Sequence, residues 1–316
     1  MQTEKVKKIL FILPSNPGDL ILTFPSFDMV KEIYPGAEID CVVSPSTKEF
    51  MKRASIVSAV IEYRKDWHWR QKAKFSLSLR YRYDLIIDFK NTAIPFFAAP
   101  SFRTPFFRKK LDKGHKRDFY LRLSLKALGR KVIPARRYLN FDLEIAEKEY
   151  WDSILRPGIF IAPASRNPVK RYPSSYYREV INGLKDTLPI VLVGDKTAEN
   201  TGEAIMEELR ENTNVINLIS RTTLASLFYI FSRYSRVLIT SDSAPLHLAS
   251  YLDIPVVALF GPTSFKKYGP TSRRAVVLFN KNISCLGCGR DNCPFNLECM
   301  YGIKPEEVVK SVLSLL

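Results

Sequence analysis

An aspartate at a predicted strand-to-helix turn is the first side chain in the sequence that could do chemistry. The apolar run Lys8–Leu13 predicts a strand, the cluster Pro14-Ser-Asn-Pro-Gly18 predicts a turn, and Asp19 stands at the start of a helix that ends near Tyr34. Gly18 would let a ligand approach the backbone closely. Asp19 is either a general base for an acceptor hydroxyl or a cap for the free N–H groups of the helix, and spacing alone leaves both open.

A second segment with polar side chains, Ile161-Ala-Pro-Ala-Ser-Arg-Asn-Pro-Val-Lys-Arg-Tyr-Pro173, runs from a predicted strand end to a predicted helix start. Its loop carries Ser165 and Lys170. A hydroxyl and an ammonium at the carboxyl end of a strand suit a diphosphate ligand. The alternative is a solvated basic loop without a ligand.

A third segment, Thr240-Ser-Asp-Ser-Ala-Pro-Leu-His-Leu-Ala249, again joins a predicted strand to a predicted helix. Asp242 and Ser243 stand at the turn, where backbone N–H groups and the helix dipole can bind phosphate without a Walker-type lysine. His247 follows Ser243 by four residues, a spacing that places both on one helix face. A histidine buried in the core is the alternative.

These three segments need sheets to position them, and short apolar runs alternate with helical stretches along the whole chain. The predicted strands are Lys8–Leu13, Ile39–Val43, Val57–Ile61, Leu85–Phe89, Ile159–Ala162, Ile190–Val193, Val237–Thr240 and Val256–Phe260. The alternation predicts an α/β protein with parallel sheets. We place the domain boundary at 150/151, within a charged helical segment near Glu144–Leu155 that Arg156-Pro-Gly158 follows. Because doubly wound sheets bind ligands at the carboxyl ends of their strands, we expect the two domains to face each other across a cleft.

The charge of the chain is strongly positive and unevenly distributed. The 48 Lys and Arg residues exceed the 32 Asp and Glu residues by 16, and residues 1–156 hold 30 basic and 18 acidic side chains. The stretch Arg103–Arg137 alone holds 13 basic residues against Asp112 and Asp118. Such a field attracts nucleic acid, an anionic lipid surface or a phosphorylated glycolipid, or it has no dedicated partner. Since no nucleic-acid-binding motif is present, a polynucleotide is not the favoured partner.

No apolar run reaches the roughly 18 residues that a membrane span needs. The first residues lead into Ile9 with neither a long apolar segment nor a small-residue cleavage site, so no signal peptide is predicted. We therefore expect a cytoplasmic protein.

Four of the five cysteines cluster as Cys285, Cys288, Cys293 and Cys299. This spacing is compatible with a structural zinc ion or with two disulfides, although a cytoplasmic location disfavours stable disulfides. The second half of the cluster is wide for a zinc ligand pair, so no metal is predicted and the zinc alternative stays open.

Taken together, the motifs resemble glycosyltransferase family 9, whose best-known members are the ADP-heptose:lipopolysaccharide heptosyltransferases. The resemblance is carried by Gly18-Asp-Leu-Ile-Leu-Thr-Phe-Pro25, Lys170-Arg-Tyr-Pro173, Asp242-Ser-Ala-Pro-Leu-His-Leu-Ala249, Pro255-Val-Val-Ala-Leu-Phe-Gly-Pro-Thr263 and the cysteine cluster. It implies a GT-B architecture of two Rossmann-like domains. Residues 1–150 would bind the acceptor, and residues 151–316, with the cysteine-rich tail, would bind the nucleotide sugar.

The resemblance also implies residue roles. Asp19 would be the catalytic base, and Lys170 the cation that stabilises the leaving diphosphate. The implied donor-binding residues are Gly18, Ser165, Glu199, Thr222, Asp242, Ser243, Ala244, Pro245 and His247. The family usually has glycine at the position of Ala244. The implied reaction is inverting transfer of heptose from ADP-heptose to the inner core of lipopolysaccharide. Because no Asp-x-Asp pair follows a strand, we expect it to need no metal or other cofactor.

An inner-core acceptor is anionic, and cations of the first domain could receive it. The candidate acceptor-binding residues are Arg64, Arg70, Asn91, Arg103 and Arg117. The aromatic residues interleaved with these cations, Trp67, Trp69, Phe96, Phe97, Phe106 and Phe107, indicate a surface at a membrane interface, with core packing as the alternative. We expect a peripheral protein on the inner leaflet of the inner membrane.

Three other functions remain as alternatives. One is a related transferase that uses another nucleotide sugar or acceptor. Another is a basic nucleic-acid-binding protein with a zinc-like cysteine cluster. The third is a catalytically silent binder of a nucleotide sugar.

Overall fold

The computed structural model describes residues 6–108, 113–129, 136–207, 209 and 214–316. Residues 1–5, at the start for which no signal peptide is predicted, lie outside the described residues. So do residues 109–112, with Asp112 among them, and residues 130–135 of the predicted basic stretch. The chain divides into two compact units, Met1–Asp142 and Leu143–Leu316. This division comes a few residues before the predicted boundary at 150/151.

The first unit is built on a parallel five-stranded sheet with the order β3-β2-β1-β4-β5. Its strands are β1 (Lys8–Ile12), β2 (Glu38–Val43), β3 (Ala59–Glu62), β4 (Leu85–Asp88) and β5 (Phe102–Arg103). Its helices are α1 (Pro17–Ile21), α2 (Phe24–Ile33), α3 (Pro45–Lys52), α4 (Trp69–Ser78), α5 (Ile94–Ala98) and α6 (Lys116–Leu128). The central strand β1 is buried from Ile9 to Ile12, as expected for a parallel strand covered on both faces.

The single helix predicted from Asp19 to Tyr34 is wrong, because two helices, α1 and α2, occupy this segment. Pro25 lies in the first turn of α2, where a missing N–H group is tolerated, whereas inside a continuous helix its ring would clash with the preceding turn. The Thr23 hydroxyl donates to the Leu20 carbonyl at 2.6 Å and satisfies a carbonyl at the break. The break leaves Asp19 on a short helix directly after the loop that follows β1.

The second unit is built on a parallel six-stranded sheet with the order β11-β10-β9-β6-β7-β8. Its strands are β6 (Gly158–Ala162), β7 (Ile190–Leu192), β8 (Val215–Asn217), β9 (Ser235–Ser241), β10 (Val256–Leu259) and β11 (Ala275–Leu278). Its helices are α7 (Ile145–Ile154), α8 (Ser174–Leu184), α9 (Glu199–Met206), α10 (Leu224–Tyr234), α11 (Ala244–Leu252), α12 (Phe265–Tyr268), α13 (Glu298–Tyr301) and α14 (Pro305–Leu315). The predicted strands are present with small shifts of their ends, and β5, β8 and β11 are additional.

Each unit has its own apolar core. In the first, Phe11 stacks on Phe27 with ring centroids 4.0 Å apart. In the second, residues of the sheet pack against α8 and α14, with Tyr172 and Tyr177 fully buried between them. No helix in the described part of the chain is both long and apolar enough to cross a membrane.

Candidate active site

Asp19 stands in the first turn of α1, close to the carboxyl end of β1. The N-cap of this helix is Asn16, so the alternative that Asp19 itself caps the helix is wrong. The Asp19 side chain is partly exposed, and its Oδ1 lies 3.5 Å from the hydroxyl of Tyr120, at the outer limit of a hydrogen bond. The carboxylate is therefore accessible to a ligand, as a general base must be.

The carboxyl end of β4 is organised by the buried carboxylate of Asp88. Its oxygens accept hydrogen bonds from the backbone N–H groups of Lys90, Asn91 and Thr92 at 2.6–3.0 Å and from the Thr92 hydroxyl. Arg108 approaches the same carboxylate at 4.0 Å. Burial raises the pKa of Asp88 above its ordinary value, although Arg108 and these hydrogen bonds oppose the shift. The fixed turn directs the Lys90 side chain toward β1, where its ammonium meets the hydroxyl of Ser15 at 3.1 Å.

The predicted acceptor-binding residues are spread over the first unit, and several already have partners. Arg64 pairs with Glu62 at 2.6 Å, and Arg117 pairs with its neighbour Asp118 at 2.8 Å. Arg103 donates to a backbone carbonyl and lies over the ring of Phe106. The structure places Arg64, Asn91 and Arg103 at or after the carboxyl ends of β3, β4 and β5, and places Arg70 and Arg117 on α4 and α6.

The second unit brings three of the predicted donor-binding residues into direct contact. The Lys170 ammonium lies 2.7 Å from Oδ2 of Asp242, and Nε2 of His247 lies 3.5 Å from Oδ1 of the same carboxylate. Burial alone would raise the pKa of Asp242, but the hydrogen bond from His247 and the charge of Lys170 hold that pKa below its ordinary value. His247 is buried, and its Nδ1 atom has no hydrogen-bond partner among the described residues. The cluster is a negative centre between two groups that can carry positive charge.

The N-terminus of α11 adjoins this cluster without a side-chain cap. The Ser243 hydroxyl lies 2.9 Å from the hydroxyl of Thr240, and the helix has no side-chain hydrogen bond at its N-cap. Ser165, at the end of β6, donates to the Asp242 carbonyl at 3.4 Å. Uncapped N–H groups beside an ammonium form a setting that favours a phosphate ligand.

The remaining predicted donor-binding residues follow neighbouring strands of the same sheet. Glu199 is the exposed first residue of α9, after β7, and Thr222 precedes the N-cap of α10, after β8. Ala244 and Pro245 open α11. Because β9, β6, β7 and β8 are adjacent and parallel, their carboxyl ends share one edge. Gly18, in contrast, lies on α1 of the first unit.

The cysteine-rich tail packs against the loop that carries Lys170. All four of its cysteines line one small cavity together with Val169, the residue before Lys170, and Asn167 donates to Asp291 in the tail at 2.8 Å. The five cysteines are free thiols, and burial together with the nearby thiols raises the pKa of Cys299 to about 11. Among the described residues, no group of three or more His, Cys, Asp or Glu side chains is arranged to hold a metal ion.

Several aromatic side chains of the first unit are exposed. The exposed fractions are 65% for Trp69, 72% for Tyr81, 62% for Phe96 and 97% for Phe107. Phe97 and Phe106 are also exposed, whereas Trp67 packs on Tyr63 and Phe75. Five of the six predicted aromatics are thus exposed, and the core-packing alternative applies to Trp67; their place at a membrane interface stays a prediction.

Sequence reasoning missed three polar residues in these arrangements: Lys90, Arg108 and Tyr120. Arg171, which belongs to the predicted polar loop, donates to the Ser165 carbonyl at 3.0 Å and so shapes the loop after β6. The rule that ligands lie at strand ends could have found Lys90, two residues after β4. Tyr120 and Arg108 carried no such signal, because their contacts with Asp19 and Asp88 join residues far apart in the sequence.

Residues 73–298 match the model of glycosyltransferase family 9 (heptosyltransferase). The chain is 27% identical over 322 residues to lipooligosaccharide heptosyltransferase 2 of Campylobacter jejuni, with 98% of each chain covered. It is 28% identical over 305 residues to lipopolysaccharide heptosyltransferase 2 of Salmonella typhimurium, covering 86% of this chain and 87% of that one. The solved structure of the Escherichia coli ADP-heptose LPS heptosyltransferase II is similar with a TM-score of 0.78 at 23% identity, covering 98% of each chain. This similarity confirms the predicted α/β fold with two parallel sheets.

Proposed function

The chain belongs to glycosyltransferase family 9, the heptosyltransferase family, and on this basis we propose that it transfers heptose from ADP-heptose to the inner core of lipopolysaccharide. The matched residues include the Lys170 loop and the start of α11, where the donor is expected to bind. The nucleic-acid-binding alternative is not favoured, because the family model accounts for most of the chain.

The observation that carries the proposal is the contact of Lys170 and His247 with Asp242 beside the uncapped start of α11. In the proposed reaction, an acceptor hydroxyl attacks the anomeric carbon of the donor while the bond to the diphosphate oxygen breaks. Negative charge then grows on the departing ADP. Lys170 has three N–H donors, so it can keep its bond to Asp242 and still donate to the diphosphate. The N–H groups of α11 add further stabilisation of that charge.

Asp19 is the proposed general base. Its accessible carboxylate would accept the proton of the acceptor hydroxyl as the new bond to the anomeric carbon forms. Attack from the side opposite the leaving group would invert the configuration at that carbon. Ser165, Glu199, Thr222, Ser243 and their neighbours on the same sheet edge would hold the nucleotide and diphosphate.

The experiment that tests this function is incubation of the purified protein with ADP-heptose and a series of truncated lipopolysaccharide core acceptors, with products identified by mass spectrometry. We expect one acceptor to gain the mass of one heptose. UDP- and GDP-sugars are tested in parallel as alternatives to ADP-heptose. Transfer from one of those instead of ADP-heptose would favour the related-transferase alternative, and donor binding without any transfer would favour the silent binder.

We further propose that the protein works in the cytoplasm while bound peripherally to the inner leaflet of the inner membrane. The exposed aromatics of the first unit alternate with cations, and Arg70, Arg80 and Arg103 lie over the rings of Trp69, Tyr81 and Phe106. Aromatic side chains favour the headgroup level of a bilayer, and arginines favour anionic lipid.

Flotation with lipid vesicles tests this association. We expect the protein to bind vesicles with about 30% anionic lipid and to leave them at high salt, since the attraction is electrostatic. The double variant W69S/F107S should bind several-fold more weakly. The matched control is I145S, which changes a residue that is 75% exposed on α7 of the second unit. Equal binding of the double variant and the control would contradict the proposed surface.

A further inference from the structure

Lys90 is a half-buried cation at the carboxyl edge of the first sheet. Its ammonium contacts the Ser15 hydroxyl at 3.1 Å and lies 5.4 Å from the centre of the Tyr63 ring. Among the described residues, no carboxylate forms an ion pair with it. A lysine ammonium has three N–H donors. Within the described part of the chain, only one donor of Lys90 has a hydrogen-bond acceptor, the Ser15 hydroxyl.

Three other cations of the first unit differ from Lys90 in this respect. Arg64 and Lys48 both pair with Glu62, at 2.6 Å and 3.1 Å. Arg108 faces the carboxylate of Asp88. Lys65 is exposed to solvent. Since a partly buried charge without an ion-pair partner is costly, Lys90 is the position among these where an added anion would gain most.

The surroundings of Lys90 are hydroxyl-rich and positive. The hydroxyls of Ser44 and Ser46, after β2, both donate to the Ser15 carbonyl at 3.3 Å. Burial and the nearby charge of Lys65 lower the pKa of Lys90 below its ordinary value, while Asp88 opposes the shift. A bound anion would relieve the repulsion between the two ammonium groups and accept hydrogen bonds from Lys90 and Ser15 together.

We propose that Lys90 and Ser15 form the subsite that binds an oxyanion of the acceptor, a phosphate or a carboxylate, four residues along the chain from the base Asp19. This inference rests on the proposed function and names residues that select the acceptor. Lys90 thereby becomes a specificity-determining residue, in addition to the four arginines and Asn91 that the sequence predicts to bind the acceptor.

The test compares K90Q with the wild type on three acceptors: the complete core acceptor, the same acceptor after removal of its phosphates, and the same acceptor with its carboxylates reduced. On the complete acceptor, K90Q should lower kcat/KM by about 10- to 100-fold through the acceptor KM, with the KM for the donor unchanged. On the acceptor that lacks the recognised group, the loss caused by K90Q should shrink, because both changes remove the same interaction. A smaller loss on the acceptor without phosphates would identify a phosphate as the bound group. A smaller loss on the acceptor with reduced carboxylates would identify a carboxylate.

Two further variants test whether the loss comes from the positive charge at position 90. K90R should recover part of the lost kcat/KM, and K52Q, which changes an exposed lysine paired with Glu49 at the end of α3, should behave as the wild type. If K90Q does not fold, S15A supplies the same comparison with a smaller expected loss. An equal loss on all three acceptors would overturn the proposal. Absence of transfer by the wild type would instead contradict the proposed function.

Discussion

At the residue scale, two aspartates in comparable positions after a strand have opposite surroundings. Asp19 is partly exposed and has one weak contact, with the Tyr120 hydroxyl, among the described residues. Asp242 is nearly buried and lies between Lys170 and His247. A general base needs access to its substrate, whereas a carboxylate that positions a lysine and a histidine needs contact with both. We therefore propose the proton transfer for Asp19 and a positioning role for Asp242.

The variant D19N tests the first of these roles. Removing a general base lowers the rate of the chemical step by about 100- to 10,000-fold. We expect kcat to fall by this factor while the affinity for ADP, measured by calorimetry, changes less than about twofold. The matched control is D66N, which changes an exposed aspartate of the same unit. A D19N protein that keeps more than about a tenth of the activity would contradict the role of Asp19.

The variant D242N tests the second role through the pH dependence of stability. The pKa of Asp242 in the folded protein lies below its ordinary value of 3.8, so the carboxylate stabilises the folded state above that pH. This contribution is lost as the pH falls through the lower, folded-state pKa. We expect D242N to reduce the free energy of unfolding by about 1–3 kcal/mol at pH 6. The difference from the wild type should narrow below about pH 4. Urea unfolding of both proteins at pH 6, 4 and 3 measures this difference in the free energy of unfolding. A difference that does not change with pH would contradict the proposed role of the Asp242 carboxylate.

At the scale of elements, the candidate residues of each unit lie largely at the carboxyl edge of its own parallel sheet, and this placement was predictable. The apolar runs of the buried strands predicted the loops of Ser165 and Asp242 from the sequence alone, because a parallel strand covered on both faces has a continuous apolar signal. The strand β5 was missed because it has only two residues, and β8 because its three residues are only partly buried and include a polar one. The edge strand β11 is only half-buried. The helix break before Pro25 was missed because the apolar spacing continues across it.

The subsite of Lys90 shows why part of the site could not be predicted. A lysine after a strand is common, and what distinguishes Lys90 is that its ammonium meets Ser15 and Tyr63 rather than a carboxylate. Those neighbours are separated from it by tens of residues in the sequence. Sequence spacing gives no information about which cations are neutralised by a partner and which are left for a ligand.

The contact between β6 and the segment before β7 predicts the effect of a small substitution. A Cβ atom at Gly158 would overlap the backbone carbonyl oxygen of Pro189, so either strand β6 or that segment must shift. We expect G158A to lower the free energy of unfolding by about 1–3 kcal/mol. G36A is the matched control, because a Cβ there meets no atom within 4 Å. Equal stability of the two variants in urea unfolding would show that β6 tolerates the displacement.

At the scale of the whole molecule, the excess of 16 positive charges fits both the anionic acceptor and an anionic lipid surface. The excess is greater in residues 1–156 than in the rest of the chain. The second unit, which is proposed to bind the charged diphosphate, has a smaller excess and would bind it through Lys170 and the N–H groups at the start of α11. Local placement of a few groups, rather than net charge, would determine catalysis, and net charge would determine where the protein accumulates.

This distinction predicts how the enzyme responds to chelators. If Lys170, His247 and the N–H groups of α11 stabilise the leaving diphosphate, a divalent cation is not required for that task. We expect the rate of heptose transfer in about 5 mM EDTA to stay within about 20% of the rate in its absence, whereas K170M should lower kcat by about 100- to 1,000-fold. A transferase of the Asp-x-Asp type, assayed in parallel, controls for effective chelation. Loss of activity in EDTA that Mg²⁺ restores would show that a metal ion supplies the charge assigned to Lys170.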